Sequence, residues 1–531
     1  MKCLNNMKFL NKTHHIFPLL LVLTGAIGAY FVWRVNTPYL FPTNWDIWEH
    51  QTIINMIKNG NIALYPSQLS DTFRFDGYTT IFHIILAVIQ RMTGTNSLGF
   101  WWIAEAIFTI ATAVATYAFV YILTRKPLSA LIAGVLSSFF FESTVVFTPL
   151  FLMPQTASAL LWVIGLTILL SHMHTDRKII ILIPLMLGMV FIHMIIGLVG
   201  LGVYGLILLF NRIKLLKKPV WFSIFLVGLP VVLFGMSEIV IQMIPLGQIN
   251  FGEASAYMQN PLEKLFVART WYGFLPIVFL PLGLITTKKR SLAIAFVVLL
   301  TLTCSRIPYA LKFYTLARFL TIAFMASGIV WLLSFIRTVW LRWMSLGFVA
   351  IAVIAIFVTN ISAWKASIEF RGIASQVSSD ELSASEFLVD AKKNDSTYLI
   401  SDPATQYIFE ALTGINSQGG AYMNESSRKT LVSLFASKSA DEFKKQVFTV
   451  KDTLTPINHE TILLIVSART LKWLDEPSES QLSLTFNVWR PEGLTLHDRM
   501  KIDAWEKTYD LTKTFENNAL VIYEIDRKDI L

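Results

Sequence analysis

Three side chains with acid–base chemistry lie close together near the N-terminus of the chain. Asp46, Glu49 and His50 have i, i+3 and i+4 spacing, which places them on one face if a helix begins at Asp46. Asn44 could cap that helix and Gly60 could end it. A carboxylate held in this way can accept a proton from an attacking hydroxyl or amide group. A solvated interfacial acid is the alternative interpretation of Asp46.

Three cationic side chains later in the chain could stabilise a departing phosphate. They are Arg306, Lys312 and Arg318, and such groups form charge-assisted hydrogen bonds with phosphate oxygens. Arg318, in the run 316–320, opens a predicted membrane span, so its guanidinium is expected at the depth of lipid headgroups. The alternative for Arg318 is an anchor whose long side chain snorkels to the interface.

Other polar residues are weaker candidates for the same site. Asp76 lies in the same predicted loop as Asp46, Glu49 and His50. His83 lies in the apolar stretch 81–84, which favours a residue of the protein core. His193 interrupts a long apolar run and could equally be a packed residue at a helix break. A carboxylate–histidine spacing could suit a divalent cation, but no set of three or four ligands is fixed. The sequence therefore requires no cofactor, and it leaves open whether a divalent cation binds.

Three acids fall within apolar segments. Glu105, Glu142 and Glu238 lie in the outer halves of the helices predicted below. A charge inside a membrane costs at least a few kcal/mol and usually faces a cavity or a partner. Their shared depth suggests one polar cavity that opens outward, although each could simply reach the interface.

The composition indicates a membrane protein. Of the 531 residues, 54% are hydrophobic and only 15% are charged, with a mean hydropathy of +0.57. A soluble protein has about 25% charged residues. The net charge of +9 does not argue for nucleic acid, because Lys and Arg lie mostly in short loops that orient membrane proteins. Cys3 and Cys304 are far apart and imply no disulfide framework.

The apolar segments predict roughly eleven membrane-spanning helices. They are 16–34, 97–123, 127–147, 150–171, 179–192, 194–210, 219–244, 269–286, 291–306, 318–336 and 342–360. All basic loops lie on the cytoplasmic side only if 77–93 does not cross and 178–210 forms a hairpin. The odd number then predicts a cytoplasmic N-terminus and a C-terminal part outside the cytoplasm.

The composition changes to Ser, Asp, Glu and Lys after about residue 361. Strand-like runs and helical patterns then predict an α/β domain of roughly 170 residues. The strands are expected at 398–401, 461–466, 482–488 and 519–525, and helices at 383–392 and 405–413. The sequence thus predicts a transmembrane domain, residues 1–363, with a first outer loop at 35–78, and a soluble extracytoplasmic domain, residues 364–531.

The stretch 45–60, Trp-Asp-Ile-Trp-Glu-His-Gln-Thr-Ile-Ile-Asn-Met-Ile-Lys-Asn-Gly, resembles the first extracytoplasmic loop of GT-C glycosyltransferases. That superfamily includes oligosaccharyltransferase catalytic subunits and protein O-mannosyltransferases. The segments 75–83, 191–194 and 317–320 are similar to later family features, which are a Gly-containing segment with a downstream His, a His at a helix junction and a late Arg. The resemblance covers roughly residues 16–360 and implies a GT-C-like fold.

The resemblance also implies roles for individual residues. Asp46 would be the catalytic base, Arg318 would contact the phosphate of a polyprenyl-phosphate-linked donor, and the sugar would be transferred with inversion. Glu49 takes the second-acid position with D-x-x-E spacing instead of the family's common D-x-D or D-x-E, which leaves metal dependence open. The Trp-Trp-Asp-Tyr-Gly motif of oligosaccharyltransferases is absent from the C-terminal sequence, which argues against N-glycosylation of Asn-x-Ser/Thr sites. The stretch 400–405, followed by 412–414, resembles a domain that helps related proteins bind the acceptor.

We therefore expect a multi-pass GT-C-type glycosyltransferase of the cytoplasmic membrane, in contact with membrane lipids and not with nucleic acid. It would move a sugar from a polyprenyl-phosphate carrier to a protein, lipid or polysaccharide at the outer face. A transporter or flippase of lipid-linked glycans is an alternative, although inverted repeats and mid-membrane polar groups are not evident. An inactive GT-C-like scaffold is another alternative, which a neutral residue at position 46 would favour.

Overall fold

A computed structural model of the chain gives the fold. The structure describes residues 16–35, 46–58, 80–95, 97–138, 152–243, 275–305, 310–371, 377–391, 397–417, 425–447, 461–475 and 499–526.

Helices make up the described part of the first two thirds of the chain. They are α1 (Ile16–Val35), α2 (Asp46–Lys58), α3 (Thr80–Thr93), α4 (Ser97–Thr124), α5 (Pro127–Ser138), α6 (Pro154–Leu170), α7 (Thr175–Ile192), α8 (Met194–Arg212), α9 (Pro219–Met243), α10 (Leu275–Thr286), α11 (Arg290–Cys304), α12 (Tyr314–Phe335) and α13 (Val339–Arg371).

Each of the eleven apolar segments predicted from the sequence coincides with one of these helices. Three helices are long and apolar enough to cross a membrane over their described residues, at Ile103–Thr124, Met194–Arg212 and Tyr314–Phe335. Other apolar helices, such as Pro154–Leu170, are 10–17 residues long. The total of eleven crossings therefore stays a prediction. Helix α3 has 14 residues, which is about 21 Å and shorter than the roughly 30 Å hydrocarbon core.

The predicted hairpin forms around His193. Helix α7 ends at Ile192 and α8 begins at Met194, while His193 has extended backbone angles of φ −155° and ψ 102°. The Oη atom of Tyr204 lies 4.0 Å from Sδ of Met189. In one straight helix these residues would be about 22 Å apart along the axis, so the two helices double back on each other.

The chain divides into two compact units. One comprises Met1–Arg34 and Trp102–Lys365, and the other comprises Val35–Trp101 and Ala366–Leu531. Helices α2 and α3 thus group with the C-terminal residues. The division into a membrane part and an outer part at residue 363 stays a prediction.

Of the three helices long and apolar enough to cross a membrane, α12 is the most buried, with 83% of its apolar stretch inside the protein. Two glycines let it approach α10 closely. A Cβ atom added at Gly283 would overlap the carbonyl oxygen of Phe324, and one at Gly328 would overlap the carbonyl oxygen of Phe279. The backbones of α10 and α12 are therefore in direct contact.

A mixed sheet of five strands forms the second unit's core. The strands are β1 (Thr397–Ile400), β2 (Asn416–Ser417), β3 (Thr461–Ser467), β4 (Thr512–Glu516) and β5 (Leu520–Asp526), in the order β2-β1-β3-β5-β4. Strands β2, β1 and β3 are parallel, whereas β5 is antiparallel to β3 and β4. The surrounding helices are α14 (Ser379–Ala391), α15 (Pro403–Thr413), α16 (Glu425–Phe435), α17 (Ala440–Val447), α18 (Ala468–Asp475) and α19 (Arg499–Tyr509).

The sequence predicted β1, β3, β5, α14 and α15, and the structure confirms them. The strand predicted at 482–488 lies outside the described residues. Strands β2 and β4 were not predicted, because β2 has only two residues and β4 is largely exposed and polar, with the sequence Thr-Lys-Thr-Phe-Glu. Edge strands of this kind lack the alternating apolar pattern that marks a buried strand.

Helix α15 is capped at both ends. The Oδ1 atom of Asp402 accepts hydrogen bonds from the backbone N–H groups of Ala404 and Thr405 at 3.0 and 2.9 Å. Its Oδ2 atom accepts a hydrogen bond of 2.6 Å from the hydroxyl of Thr470. Gly414 ends the helix with a φ of 67°, which glycine adopts without strain. These contacts fix α15 against the sheet.

Candidate active site

Helix α2 spans Asp46–Lys58, which is the condition under which the three candidate residues share one face. Positions 46, 49 and 50 therefore lie in its first two turns, where the helix dipole favours acidic residues. The apolar residues Ile47, Trp48 and Ile54 are completely buried. Burial of each such side chain contributes about 1.5–3 kcal/mol, so packing holds the helix on several sides.

Two of the candidate residues, His50 of α2 and His83 of α3, contact each other. Their Nδ1 and Nε2 atoms, respectively, are 3.0 Å apart, and the side chains are 3% and 0% exposed. The ring of Phe82 packs edge-on against His50 with 5.8 Å between ring centroids. The core interpretation of His83 agrees with this burial, but the pairing with His50 was not foreseen, because 33 residues separate them.

Burial sets the protonation state of this pair. Desolvation lowers the pKa of His50 to about 3. Desolvation and the neighbouring His50 ring lower the pKa of His83 well below its ordinary value. Both imidazoles are therefore neutral at physiological pH, so one ring donates the hydrogen bond and the other accepts it.

A buried amide cluster lies one residue further along α2. The Nε2 atom of Gln51 donates to Oδ1 of Asn55 at 2.9 Å and to Oε1 of Gln90 at 3.3 Å. Its Oε1 atom accepts hydrogen bonds of 2.9 Å from Nε2 of Gln90 and from Nε1 of Trp101. The cluster joins α2 to α3 and α4. The sequence analysis did not single out these residues.

Helix α2 also contacts the C-terminal part of its unit. The Nδ2 atom of Asn55 donates a hydrogen bond of 2.7 Å to the carbonyl oxygen of Ala411 in α15. Helices α2 and α15 pack together along their length. The only local signal for this contact is the polar Asn55 among apolar residues, and nothing in the sequence names its partner.

The basic candidates belong to the first unit. Arg318 is 1% exposed near the start of α12, and its guanidinium carbon lies 5.4 Å from the centre of the Phe319 ring. Lys312 is partly buried in a 3₁₀ turn, Ala310–Phe313, which directly precedes α12. The burial of Arg318 excludes the snorkelling alternative, because a snorkelling side chain carries its charge to the water interface. Arg306 lies outside the described residues.

The other candidates are separate from these groups or cannot be placed. His193 acts as the N-cap of α8, where its Nδ1 atom accepts a hydrogen bond of 3.3 Å from the backbone N–H of Ile196, which agrees with the alternative of a packed residue at a helix break. Glu105 is 4% exposed in α4, and its carboxyl oxygens have no hydrogen-bond partner in the part of the chain that the structure describes. Asp76 and Glu142 lie outside the described residues.

Among the described residues, no group of three or more His, Cys, Asp and Glu side chains has the arrangement of a metal site. The His50–His83 pair supplies two imidazoles, and their hydrogen bond occupies one nitrogen of each ring. Two such ligands do not complete the coordination of a divalent cation.

Comparisons with known proteins identify the fold. No family model and no curated protein matches the sequence. The structure is similar to the Archaeoglobus fulgidus oligosaccharyltransferase in complex with zinc and sulfate, with a TM-score of 0.53, 11% identity, and coverage of 87% of this chain and 70% of the other. The same enzyme tethered to an acceptor peptide containing the NVT sequon gives a TM-score of 0.52, 12% identity, and coverage of 88% and 72%. Its apo form gives a TM-score of 0.51 at 11% identity, with coverage of 88% of this chain and 72% of the other.

At this identity the likeness concerns the fold. The chain has a fold like that of the archaeal oligosaccharyltransferase, which agrees with the fold that the sequence resemblance predicts. The mostly helical architecture with apolar helices and a small C-terminal sheet agrees with that fold.

Proposed function

We propose that the protein is a membrane glycosyltransferase of the GT-C type, which moves a sugar from a polyprenyl-phosphate-linked donor to an acceptor at the outer face of the cytoplasmic membrane. The observation that carries this proposal is a helix that begins at Asp46, separated by ten residues from the first apolar helix, in a chain with an oligosaccharyltransferase-like fold. An acid at this position is what sugar transfer requires of the protein.

In the proposed reaction Asp46, helped by Glu49, accepts the proton of the acceptor group as that group attacks the anomeric carbon. The new bond between acceptor and anomeric carbon forms while the bond from the anomeric carbon to the phosphate oxygen breaks. The electron pair of the broken bond leaves with the phosphate. A direct displacement of this kind inverts the configuration of the sugar.

The charge on the leaving phosphate needs stabilisation, and we assign this role to Arg318, with Lys312 and Arg306. A buried guanidinium acts on phosphate oxygens more strongly than a solvated one, because the surrounding dielectric is low. A divalent cation would neutralise further phosphate charge. The zinc in one structural neighbour is compatible with such a cation, for which this chain's ligands are not assigned.

The same proposal includes the membrane topology. Eleven crossings place the N-terminus in the cytoplasm and the sheet domain, residues 364–531, outside it. There the sheet domain would help to bind the acceptor. The acceptor peptide of one structural neighbour supports a protein acceptor, and lipid and polysaccharide acceptors are also compatible with the chain.

A transporter or flippase of lipid-linked glycans, and an inactive scaffold, are the competing functions. A flippase would move the donor across a bilayer without breaking its glycosidic bond. A scaffold would bind lipid without turnover. Product analysis distinguishes all three.

The test is sugar transfer, or donor hydrolysis, from a panel of polyprenyl-phosphate sugars by the purified full-length protein. We expect Asp46→Asn to lower turnover by roughly 10²–10⁴-fold while donor binding is retained, since the general base is lost. We expect Arg318→Ala to lower turnover by roughly 10²–10³-fold. Asp503→Asn and Arg177→Ala, which replace exposed residues of α19 and α7, are matched controls and should behave as wild type. Wild-type turnover in Asp46→Asn would show that the active site lies elsewhere.

A further inference from the structure

The side chain of Gln51 is the centre of the amide cluster on α2. Its amide has two donor hydrogens and two acceptor lone pairs. All four are used, by Asn55, by Trp101 and by the two atoms of the Gln90 amide. Gln51 is 1% exposed, Gln90 1% and Trp101 0%, so water does not compete for these bonds.

A cluster of this kind is not needed for stability alone. The apolar residues Ile47, Trp48, Ile53 and Ile54 already bury α2 on several sides. An intramolecular hydrogen bond contributes only about 0.5–1.5 kcal/mol net, and a pair of polar groups can often be replaced by apolar groups of the same shape at little cost. What a fully satisfied buried network adds is a unique arrangement, because any shift of the helix breaks several bonds together.

The cluster continues to a rigid support. Asn55 connects Gln51 to the carbonyl oxygen of Ala411 in α15. Helix α15 is itself fixed at its start by Asp402, which bonds two backbone N–H groups of the helix and the hydroxyl of Thr470 beside β3. A chain of hydrogen bonds thus links α2, through α15, to the parallel strands of the sheet.

The cluster holds α2 from the side away from the candidate acids. Five residues of an α-helix turn through roughly 140° beyond one full turn, so Gln51 and position 46 lie on different sides of α2. The hydrogen bonds of Gln51 therefore hold the helix from a side other than that of positions 46 and 49. A displacement of about 1 Å of a catalytic group can lower a rate roughly 10²-fold.

We propose that Gln51 and Asn55 are positioning residues, which lock α2 between α3 and α15 and thereby fix where Asp46 stands relative to the substrate. This inference rests on the proposed function of Asp46. It predicts that removal of the network lowers turnover by far more than the accompanying loss of stability explains, a loss that includes the buried Nε1–H of Trp101 left without its acceptor.

The experiment uses the full-length protein with the double substitution Gln51→Met and Gln90→Met, which replaces both amides by apolar side chains of similar length. Asn55→Ala, at a partly exposed position, is a second and milder variant. Gln406→Met is the matched control, since Gln406 is a completely buried glutamine of α15 whose amide has no hydrogen-bond partner in the described residues. The measurements are kcat, KM, Tm and the amide hydrogen exchange of α2.

We expect the double variant to keep its Tm within a few degrees and its KM within about twofold. Its kcat should fall roughly tenfold or more, since the acid is misplaced in the transition state, and hydrogen exchange should increase in α2 and not in β1 or β3. Asn55→Ala should show the same pattern more weakly, and Gln406→Met should keep wild-type kcat and exchange. Wild-type kcat and wild-type exchange of α2 in both network variants would overturn the proposal, as would a loss of kcat that merely follows a loss of Tm.

Failure of the proposed function has a different signature. If the wild-type protein transfers no sugar, or if Asp46→Asn transfers it normally, the proposed function fails. The exchange of α2 still decides whether the network fixes the helix. Asp46→Asn should leave that exchange unchanged, because position 46 is not part of the network.

Discussion

Acidification should destabilise the protein through the buried pair His50 and His83. Burial lowers the pKa of His50 to about 3 and lowers that of His83, whereas an unfolded histidine has a pKa near 6.5. Between these values the unfolded chain binds protons that the folded chain does not. Stability contributed by the pair is therefore complete above pH 6.5 and is lost as the pH falls towards 3.

The magnitude follows from the difference in bound protons. For one histidine the free energy of unfolding falls by about 1.4 kcal/mol for each pH unit inside this window. Between pH 7 and pH 5, only about 1.5 pH units lie below the pKa of an unfolded histidine. His50 alone therefore lowers the free energy of unfolding by about 2 kcal/mol over this range. His83 acts in the same direction, because its pKa is also lowered.

The assay is denaturant unfolding in detergent micelles at pH 7 and pH 5, followed by tryptophan fluorescence. We expect the wild-type free energy of unfolding to fall by at least about 2 kcal/mol. His50→Gln should reduce this fall, because glutamine does not titrate. His174→Gln, at an exposed histidine whose side chain is 82% accessible, should leave the fall unchanged. An equal fall in wild type and His50→Gln would refute the reasoning.

Three further substitutions test the packing, each by its effect on the free energy of unfolding. Gln406→Met should stabilise the protein by about 1–2 kcal/mol, since it removes a buried amide without partners in the described residues; destabilisation would mean that the amide is satisfied. Arg469→Met should cost about 3–5 kcal/mol, because it leaves the buried carboxylate of Glu381 without its ion-pair partner, and a neutral effect would contradict this. Gly283→Ala should cost about 1–3 kcal/mol or more through overlap with the carbonyl oxygen of Phe324, and an unchanged stability would show that α10 and α12 can move apart.

Local patterns in the sequence predicted local structure well. The i, i+3, i+4 spacing of polar residues marked the start of α2 at Asp46, and the apolar segments marked helices α1 and α4–α13. His193 marked a helix break because an apolar run of more than 30 residues exceeds one crossing. These features depend on residues close together in the chain, which is where periodicity carries information.

The contacts that build the candidate site were not predictable in this way. His50 and His83 are 33 residues apart, Gln51 and Gln90 are 39 apart, and Asn55 and Ala411 are 356 apart. Helical periodicity shows that a face is buried and does not show which element covers it. The grouping of the first-loop residues with the C-terminal sheet was missed for the same reason.

The close contact of α10 and α12 has a consequence for how the molecule can move. Where backbones touch at Gly283 and Gly328, there are no side chains to rearrange, so α12 can neither slide nor rotate by part of a turn without atomic overlap. Arg318 stands on this helix and is therefore held in place relative to α10. In the proposed reaction the phosphate must travel to the arginine, and the motions that admit substrate and release product must occur in other elements.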